Sequence, residues 1–405
     1  MKGERPSSEL DMSDYQVRGF KASVMAAGIK KRGGLDFALI FSEREASAAG
    51  VFTGNKVKAA PVLVSQQNIK RGKARAIIAN SGNANACTGE AGLRSAQYTV
   101  EAVARELGIH TEDVLVASTG VIGAPLNTEV IGKALPELVK GLSPQALPRV
   151  VEAIMTTDSF PKRSLFEGRA GGNSYKVVGM AKGAGMIMPD MATMLCFIVT
   201  DLAVDPARLN EALVWGVQRT FNRISVDGDM STNDTVLVLA NGAAGNESLS
   251  LEEFQGFRAG LTKVMEELST MIVRDGEGAT KLIRLTIKGA ATPEDALAAA
   301  RTLASSALVK TAFYGSDPNW GRIMAALGRS GVRMREEGVA IWVDNVQIVE
   351  KGMGRGAEPE ARAAAIMKGK EFSVTVDLHE GKFEDHITTC DLSHEYVSIN
   401  ADYRT

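Results

Sequence analysis

Short apolar runs that alternate with amphipathic helices along nearly the whole chain constrain the fold more than any other feature. Several of these runs are apolar at every position, which is typical of strands covered on both faces. Chains that interleave strands and helices in this way form layered α/β folds. The runs that predict strands are Ala76–Ala79, Val114–Ala117, Leu195–Val199, Thr235–Leu239, Ile283–Ile287, Val339–Val343 and Phe372–Val376.

Three amphipathic segments predict helices with identifiable ends. Residues 93–107 place apolar side chains on one face, and Gly108 suits the C-terminal cap. A long helix is expected over residues 251–273. Thr292 provides an N-cap for a third helix that is predicted to run to about Val309.

The charge balance excludes several classes of partner. A net charge of −2 gives no basic surface for nucleic acid or for a membrane. The longest apolar run, around Met194–Val199, is far too short to span a bilayer, and Met1–Asp14 lacks the apolar stretch of a secretory signal. We therefore expect a cytoplasmic protein with no nucleic-acid or membrane partner.

Chemistry based on histidine, cysteine or a bound nucleotide is not indicated. The chain has four histidines and three cysteines, and their spacings match neither a zinc site nor a histidine-based hydrolase. No phosphate-binding loop of the form G-x-x-x-x-G-K-[ST] occurs. We expect no metal and no resident cofactor.

The run Lys182–Leu195 carries a different candidate. It begins with a flexible glycine-rich stretch and brings Thr193 to the start of the apolar run Leu195–Val199. If the Ala192–Thr193 bond were cut, the new α-amine of Thr193 could take the proton from its own hydroxyl, because such amines have a pKa of about 7.7–8.0. The plainer interpretation is a β-branched residue that begins a strand, and spacing alone favours it.

The same run resembles the self-processing segment of the ornithine acetyltransferases, also called bifunctional glutamate N-acetyltransferases. The resemblance extends from Gly19 to Thr405. Further segments that resemble the family, in the family's order, are Gly19–Ala22, Ala79–Ala86, Ser118–Gly123, Asp275–Thr280, Gly315–Arg322 and Tyr396–Thr405.

The resemblance implies a helix-covered two-sheet α/β sandwich with a smaller C-terminal α/β portion. It implies that the chain cuts itself between Ala192 and Thr193. Residues 1–192 would form an α fragment, 193–280 the start of the β fragment, and 281–405 the C-terminal portion of the β fragment. Two α and two β fragments would assemble together.

The implied reaction is transfer of an acetyl group from N2-acetylornithine to glutamate, through an acetyl ester on Thr193. Thr119 and Gly120 match the family's oxyanion pair, although a glycine turn after a strand would have the same composition. The resemblance implies substrate contacts from Lys182 and Glu277, whose plainer interpretation is exposed surface charge. The positions that match substrate-binding residues of the family are Thr156, Lys182, Thr193, Glu277, Asn400 and Thr405.

Two other functions stay open from the sequence. An N-terminal-threonine amidohydrolase or aminopeptidase would use the same nucleophile with water as acceptor. A scaffold protein would keep the chain uncut. The resemblance also leaves open whether acetyl-CoA serves as a second acetyl donor. The roles of Asn80–Asn85 and of Asp317–Trp320 are open as well, with turn contacts favoured for the asparagines.

Overall fold

The computed structural model describes residues 11–188 and 194–402, and these residues form two mixed β-sheets with helices packed around them. The strands are β1 (Phe20–Met25), β2 (Phe37–Phe52), β3 (Lys73–Asn80), β4 (Val114–Ser118), β5 (Lys162–Ala170), β6 (Asn173–Lys182), β7 (Leu195–Thr200), β8 (Ile224–Ser225), β9 (Thr235–Ala240), β10 (Leu282–Ala290), β11 (Ala340–Val343), β12 (Val346–Glu350), β13 (Met353–Gly354), β14 (Glu371–Asp377) and β15 (Phe383–Cys390). The helices are α1 (Ala60–Asn68), α2 (Gly89–Leu107), α3 (Thr128–Lys140), α4 (Val150–Ile154), α5 (Pro206–Arg219), α6 (Leu251–Arg274), α7 (Pro293–Ala304), α8 (Ala307–Tyr314), α9 (Trp320–Gly328), α10 (Ala357–Met367) and α11 (His394–Asp402).

The first sheet has eight strands in the order β4-β3-β2-β9-β7-β6-β5, with β1 paired to β2. Helices cover both of its faces, and the alternation along β3 shows why this part of the chain is apolar throughout. Ile77 and Ala79 pack on the side of α4, whereas Ala76 and Ile78 pack on the side of α1, α2 and α3. Since both faces are buried, side chains that point either way must be apolar.

Strand β7 lies inside this sheet, and all six of its residues are buried. It pairs antiparallel with β6, where Lys182 lies opposite Leu195, and parallel with β9, where Leu195 lies opposite Thr235. The last residue of β6 and the first residues of β7 and β9 therefore lie side by side, at the same end of these three strands. Polar groups around these three positions build the site described below.

The second sheet has seven strands in the order β13-β12-β11-β14-β10-β15-β8 and packs against α7, α8, α9 and α10. Its strands come from residues beyond 281, except for the short β8. Strand β8 pairs with β15, where Ile224 lies opposite Thr388, and so joins the two halves of the chain. Helix α6 contacts strands β5 and β6 and ends beside the site, where Asp275 caps it.

The predicted fold class is confirmed, since the chain is α/β with two helix-covered sheets. Six of the seven apolar runs lie wholly in strands, and the seventh, Val339–Val343, begins one residue before β11; α6 begins and ends within a residue of the predicted limits. Gly108 takes the left-handed conformation at the end of α2. The single helix predicted from Thr292 to Val309 was wrong: α7 ends at Ala304, and α8 begins after a new cap in which Ser306 accepts the Val309 N–H. None of the helices described is both long enough and apolar enough to cross a membrane.

Candidate active site

A cavity of about 300 Å³ opens next to the end of β6 and the starts of β7 and β9. Segments that are far apart in the sequence form its walls: the loop after β4, the loop after α4, the end of β6, the segment before β9, the turn after α6, and α11. Six residues predicted from the sequence line this one cavity, namely Thr119, Gly120, Thr156, Lys182, Glu277 and Asn400.

Lys182 forms one wall of the cavity as a buried cation. The residue is only 3% exposed, which excludes the surface-lysine interpretation. Its Nζ donates to Thr156 Oγ1 at 2.7 Å and to Thr119 Oγ1 at 3.3 Å. Burial lowers the pKa of Lys182, and the charge of Asp158 is the largest influence that raises it again. A buried ammonium needs compensating negative charge, which an anion in the cavity could supply.

Thr119 and Gly120 follow β4 and face the same space. Because Lys182 donates to Thr119 Oγ1, the Thr119 hydroxyl proton is free to point elsewhere, including into the cavity. Gly120 has φ +130°, and a Cβ at this position would overlap the backbone of Gly82. Only glycine fits here, so the position is fixed by a close approach of two backbones.

The cavity lining also includes acidic side chains. Glu277 Oε2 accepts the Asn400 side-chain amide at 2.8 Å, and the Glu277 N–H donates to the carbonyl of Ala184. Asp227 and Asp229 also line the cavity. Burial raises the pKa of Asp227, and hydrogen bonds from the backbone of Met186, Asp229 and Ile187 oppose that effect. A ligand here would meet both a cation and carboxylates.

The glycine-rich stretch after Lys182 is held in place rather than flexible. The Gly183 N–H donates to Asp158 Oδ1 at 2.7 Å. The N–H groups of Met186 and Ile187 donate to the carboxylate of Asp227 at 2.6 and 2.9 Å. The glycines of this stretch predicted flexibility. The sequence did not indicate the hydrogen bonds, because the two aspartates that accept them are distant in the chain.

Three charged side chains form a buried cluster that contacts the backbone of Thr156 and of Gly183, close to the cavity lining. Lys162 Nζ binds Asp158 Oδ1 at 2.7 Å and Asp275 Oδ2 at 2.5 Å, and the side chains of Lys162 and Asp158 are completely buried. Burial alone would raise the pKa of Asp158, but Lys182, Lys162 and the hydrogen bonds around it bring the value down to about 2. The sequence analysis missed this cluster, because no local pattern marks residues that meet across more than a hundred positions.

The predicted nucleophile, Thr193, and its predicted cleavage partner, Ala192, lie outside the described residues, as does Thr405. The structure does describe Met194, which is joined directly to Thr193. The Met194 N–H donates to Asp234 Oδ1 at 2.9 Å, and Asp234 is fully buried. Burial raises the pKa of Asp234 well above its ordinary range, while the Met194 N–H opposes the shift.

Two regions left open by the sequence have contacts of other kinds. Asn80, Asn83 and Asn85 donate to backbone carbonyls of their own loop, of a neighbouring loop and of the first turn of α2, as favoured above. The segment Asp317–Trp320 borders a separate open cavity beside α10, where Trp320 Nε1 donates to Glu360 at 3.0 Å. Within residues 11–188 and 194–402, no group of three or more His, Cys, Asp or Glu side chains is placed to hold a metal ion.

Comparisons with known proteins agree with the resemblance seen in the sequence. The sequence profile of the ArgJ family matches residues 21–405. The arginine biosynthesis bifunctional protein ArgJ of Geobacter sulfurreducens is 51% identical over 392 residues, which cover 96% of this chain and 100% of that protein. The glutamate N-acetyltransferase of Methanocaldococcus jannaschii is 46% identical over 400 residues, which cover 96% and 97% of the two chains. A solved ornithine acetyltransferase from Mycobacterium tuberculosis, complexed with ornithine, is 40% identical, with a TM-score of 0.39 over 44% of this chain and 94% of that chain.

Proposed function

The chain belongs to the ArgJ family, and from this premise we propose that it transfers the acetyl group of N2-acetylornithine to glutamate, through an acetyl ester on Thr193. It is an acyltransferase of arginine biosynthesis. The observation that supports this substrate pair best is the charge of the cavity lining, which includes both the Lys182 side chain and the Glu277 side chain.

The charges of Lys182 and Glu277 are opposite to the two charges of N2-acetylornithine. Its α-carboxylate would bind the Lys182 ammonium, which keeps a donor free beyond the two threonine hydroxyls it contacts. Its side-chain ammonium would bind Glu277, whose carboxylate Asn400 holds from the other side. Glutamate carries the same α-carboxylate, so Lys182 serves both substrates in turn. Thr156 supports Lys182, and Thr405 is kept as a substrate contact from the family resemblance.

The first half-reaction forms the acetyl ester. The α-amine of Thr193 takes the proton of the Thr193 hydroxyl while Oγ attacks the acetyl carbonyl. The Thr119 hydroxyl and the Gly120 N–H donate to the oxyanion that develops. When the carbon–nitrogen bond breaks, the protonated amine returns its proton to the leaving nitrogen, and ornithine departs.

The second half-reaction regenerates the enzyme. The amino group of glutamate, in its neutral form, attacks the ester carbonyl, and the same two donors stabilise the oxyanion. The Thr193 α-amine takes the proton that the attacking nitrogen loses and passes it to Thr193 Oγ as the carbon–oxygen bond breaks. The products are N-acetylglutamate and free Thr193. Splitting the exchange into two steps lets one nucleophile act on both substrates in a single cavity.

Maturation precedes this chemistry. The precursor cuts itself between Ala192 and Thr193, which creates the α-amine that serves as base. The resulting α and β fragments stay together, and two of each assemble into the working enzyme in the cytoplasm. The reaction needs no metal or resident cofactor, and acetyl-CoA is tested below as a second donor.

An acetyl-transfer assay tests the proposal. With N2-[14C]acetylornithine and glutamate, label is expected in N-acetylglutamate, and ornithine is expected in equal amount. Label that appears instead as free acetate without any acceptor would establish the amidohydrolase. A parallel reaction with labelled acetyl-CoA and glutamate, without acetylornithine, decides whether the enzyme has the second donor.

Replacing Glu277 with glutamine is expected to raise KM for N2-acetylornithine about 10- to 100-fold, because a hydrogen bond to a charged group is worth about 1.5–3 kcal/mol. The KM for glutamate, which has no side-chain amine, changes far less. Steady-state kinetics with each substrate measures both values. Glu380→Gln is the matched control, since Glu380 pairs with Arg335 at 2.8 Å and does not line the cavity. Equal increases in both KM values would contradict the assignment.

A further inference from the structure

Asp158 makes contacts that no surface aspartate would need. Its Oδ2 accepts the Thr156 N–H at 2.9 Å, and its Oδ1 accepts the Gly183 N–H at 2.7 Å. Thr156 and Lys182 are the two partners of the 2.7 Å hydrogen bond at the cavity wall. One carboxylate therefore binds the backbone on both sides of that hydrogen bond and fixes the distance between its two ends.

Lys162 and Asp275 hold this carboxylate in turn. Lys162 bridges Asp158 and Asp275, and the side chains of all three are at most 4% exposed. Asp275 accepts both the backbone N–H and the hydroxyl of Ser159, next to Asp158 in sequence. Asp275 also ends α6, two residues before Glu277. The cluster thus connects the wall that carries Lys182 with the turn that carries Glu277.

We infer that Asp158 is a positioning residue for carboxylate recognition: supported by Lys162 and Asp275, it sets the geometry of the Lys182–Thr156 pair. The inference deepens the function proposed above and rests on it. Asp158 does not line the cavity itself, so it acts on the substrate only through Lys182 and Thr156.

The charge of Asp158 predicts the direction in which the pKa of Lys182 changes when that charge is removed. Burial lowers the pKa of Lys182, and Asp158 is the strongest charge that raises it. Without that charge the pKa of Lys182 falls further, so the ammonium loses its proton at a lower pH. The other charged groups that act on Lys182 are Glu277 and Asp234, which raise its pKa, and Lys162 and Lys30, which carry the same charge.

The test compares two acetyl donors that differ only in the carboxylate. N-acetylputrescine is N2-acetylornithine without its carboxyl group, so the ratio of their kcat/KM values measures carboxylate recognition. For Asp158→Asn we expect this ratio to fall about tenfold. We also expect the alkaline limb of the kcat/KM profile for acetylornithine to move to lower pH. An unchanged ratio together with an unmoved alkaline limb overturns the inference.

Asp201→Asn is the matched control. Asp201 is also a buried carboxylate that accepts a backbone N–H, from Lys176 at 2.9 Å, and a cation, from Arg18 at 2.6 Å. It does not line the cavity. The control is expected to keep the donor ratio and the pH profile of the unmodified enzyme, even if its melting temperature falls. A control that shifts both as much as Asp158→Asn would overturn the inference.

A second variant guards against misfolding, because Asp158→Asn leaves Lys162 with Asp275 as its remaining buried carboxylate. In Asp158→Asn/Lys162→Met/Asp275→Asn all three charges of the cluster are removed together, which costs less than leaving one buried charge unpaired. The triple variant is expected to show the same fall in the donor ratio. The unmodified enzyme separates this inference from the proposed function: if it transfers no acetyl group to glutamate, the function itself is wrong, whatever Asp158 does.

Discussion

Alanine in place of Thr193 is expected to leave one uncut chain of 43.0 kDa and to reduce acetyl transfer by at least about 10⁴-fold. In the proposed mechanism, the substitution removes the hydroxyl that attacks in both self-cleavage and transfer. It also prevents formation of the α-amine that activates that hydroxyl. Denaturing intact-mass spectrometry measures the cut, and the labelled-acetyl assay measures transfer on the same sample.

Thr193→Ser provides the control for this result. Serine keeps the hydroxyl and can yield the same N-terminal amine, so this variant is expected to be cut at the same bond and to transfer acetyl at a reduced rate. A Thr193→Ala protein that is fully cut, or that keeps full transfer activity, would refute the threonine-nucleophile mechanism. If Thr193→Ser is also uncut and inactive, the missing hydroxyl does not explain the loss of activity in Thr193→Ala.

Replacing Thr119 with valine is expected to lower kcat about 100- to 1,000-fold, which is the usual cost of losing one oxyanion donor. Valine keeps the shape of threonine and removes only the hydroxyl. Lys182 also loses its 3.3 Å acceptor but keeps the shorter contact with Thr156, so KM is expected to change much less than kcat.

The proposed self-cleavage complicates this measurement, because it would pass through an oxyanion of its own. Rates for Thr119→Val should therefore be divided by the cut fraction, taken from the intact-mass spectrum. Thr119→Ser restores a hydroxyl at the same place and is expected to recover most of kcat. If valine and serine behave alike, or if KM alone changes, Thr119 does not donate to the oxyanion.

Much of the fold could be predicted from local patterns. Runs such as Leu195–Val199 are apolar at every position because helices cover both faces of their sheet, and that signal survives in one sequence. Strands β5 and β6 were not predicted from the residues. They carry polar and glycine residues along much of their length, and their identity depends on pairing with each other and with β7. Pairing of that kind is a tertiary property that a local pattern does not contain.

The candidate site divides in a similar way. Residues such as Lys182 and Glu277 were identified by family resemblance, and the structure brings them to one cavity. Asp158 belongs to no segment that resembles the family, and Asp275 begins the segment Asp275–Thr280 without a role of its own in the prediction. Their importance arises from a lysine that bridges them, 113 positions away from one of the two. Only the folded chain contains that information.

The position of β7 has a consequence for the lifetime of the enzyme. In the uncut chain the pairing of β6 with β7 closes within a single molecule, over the short connection between Lys182 and Leu195. After the proposed cut, β6 and β7 belong to different polypeptides, and refolding from the unfolded state requires the two to meet. Recovery then depends on concentration, whereas the precursor recovers alone. After the proposed cut, an unfolded enzyme would therefore refold less readily than the precursor. The lifetime of each enzyme molecule would then be set by its rate of unfolding.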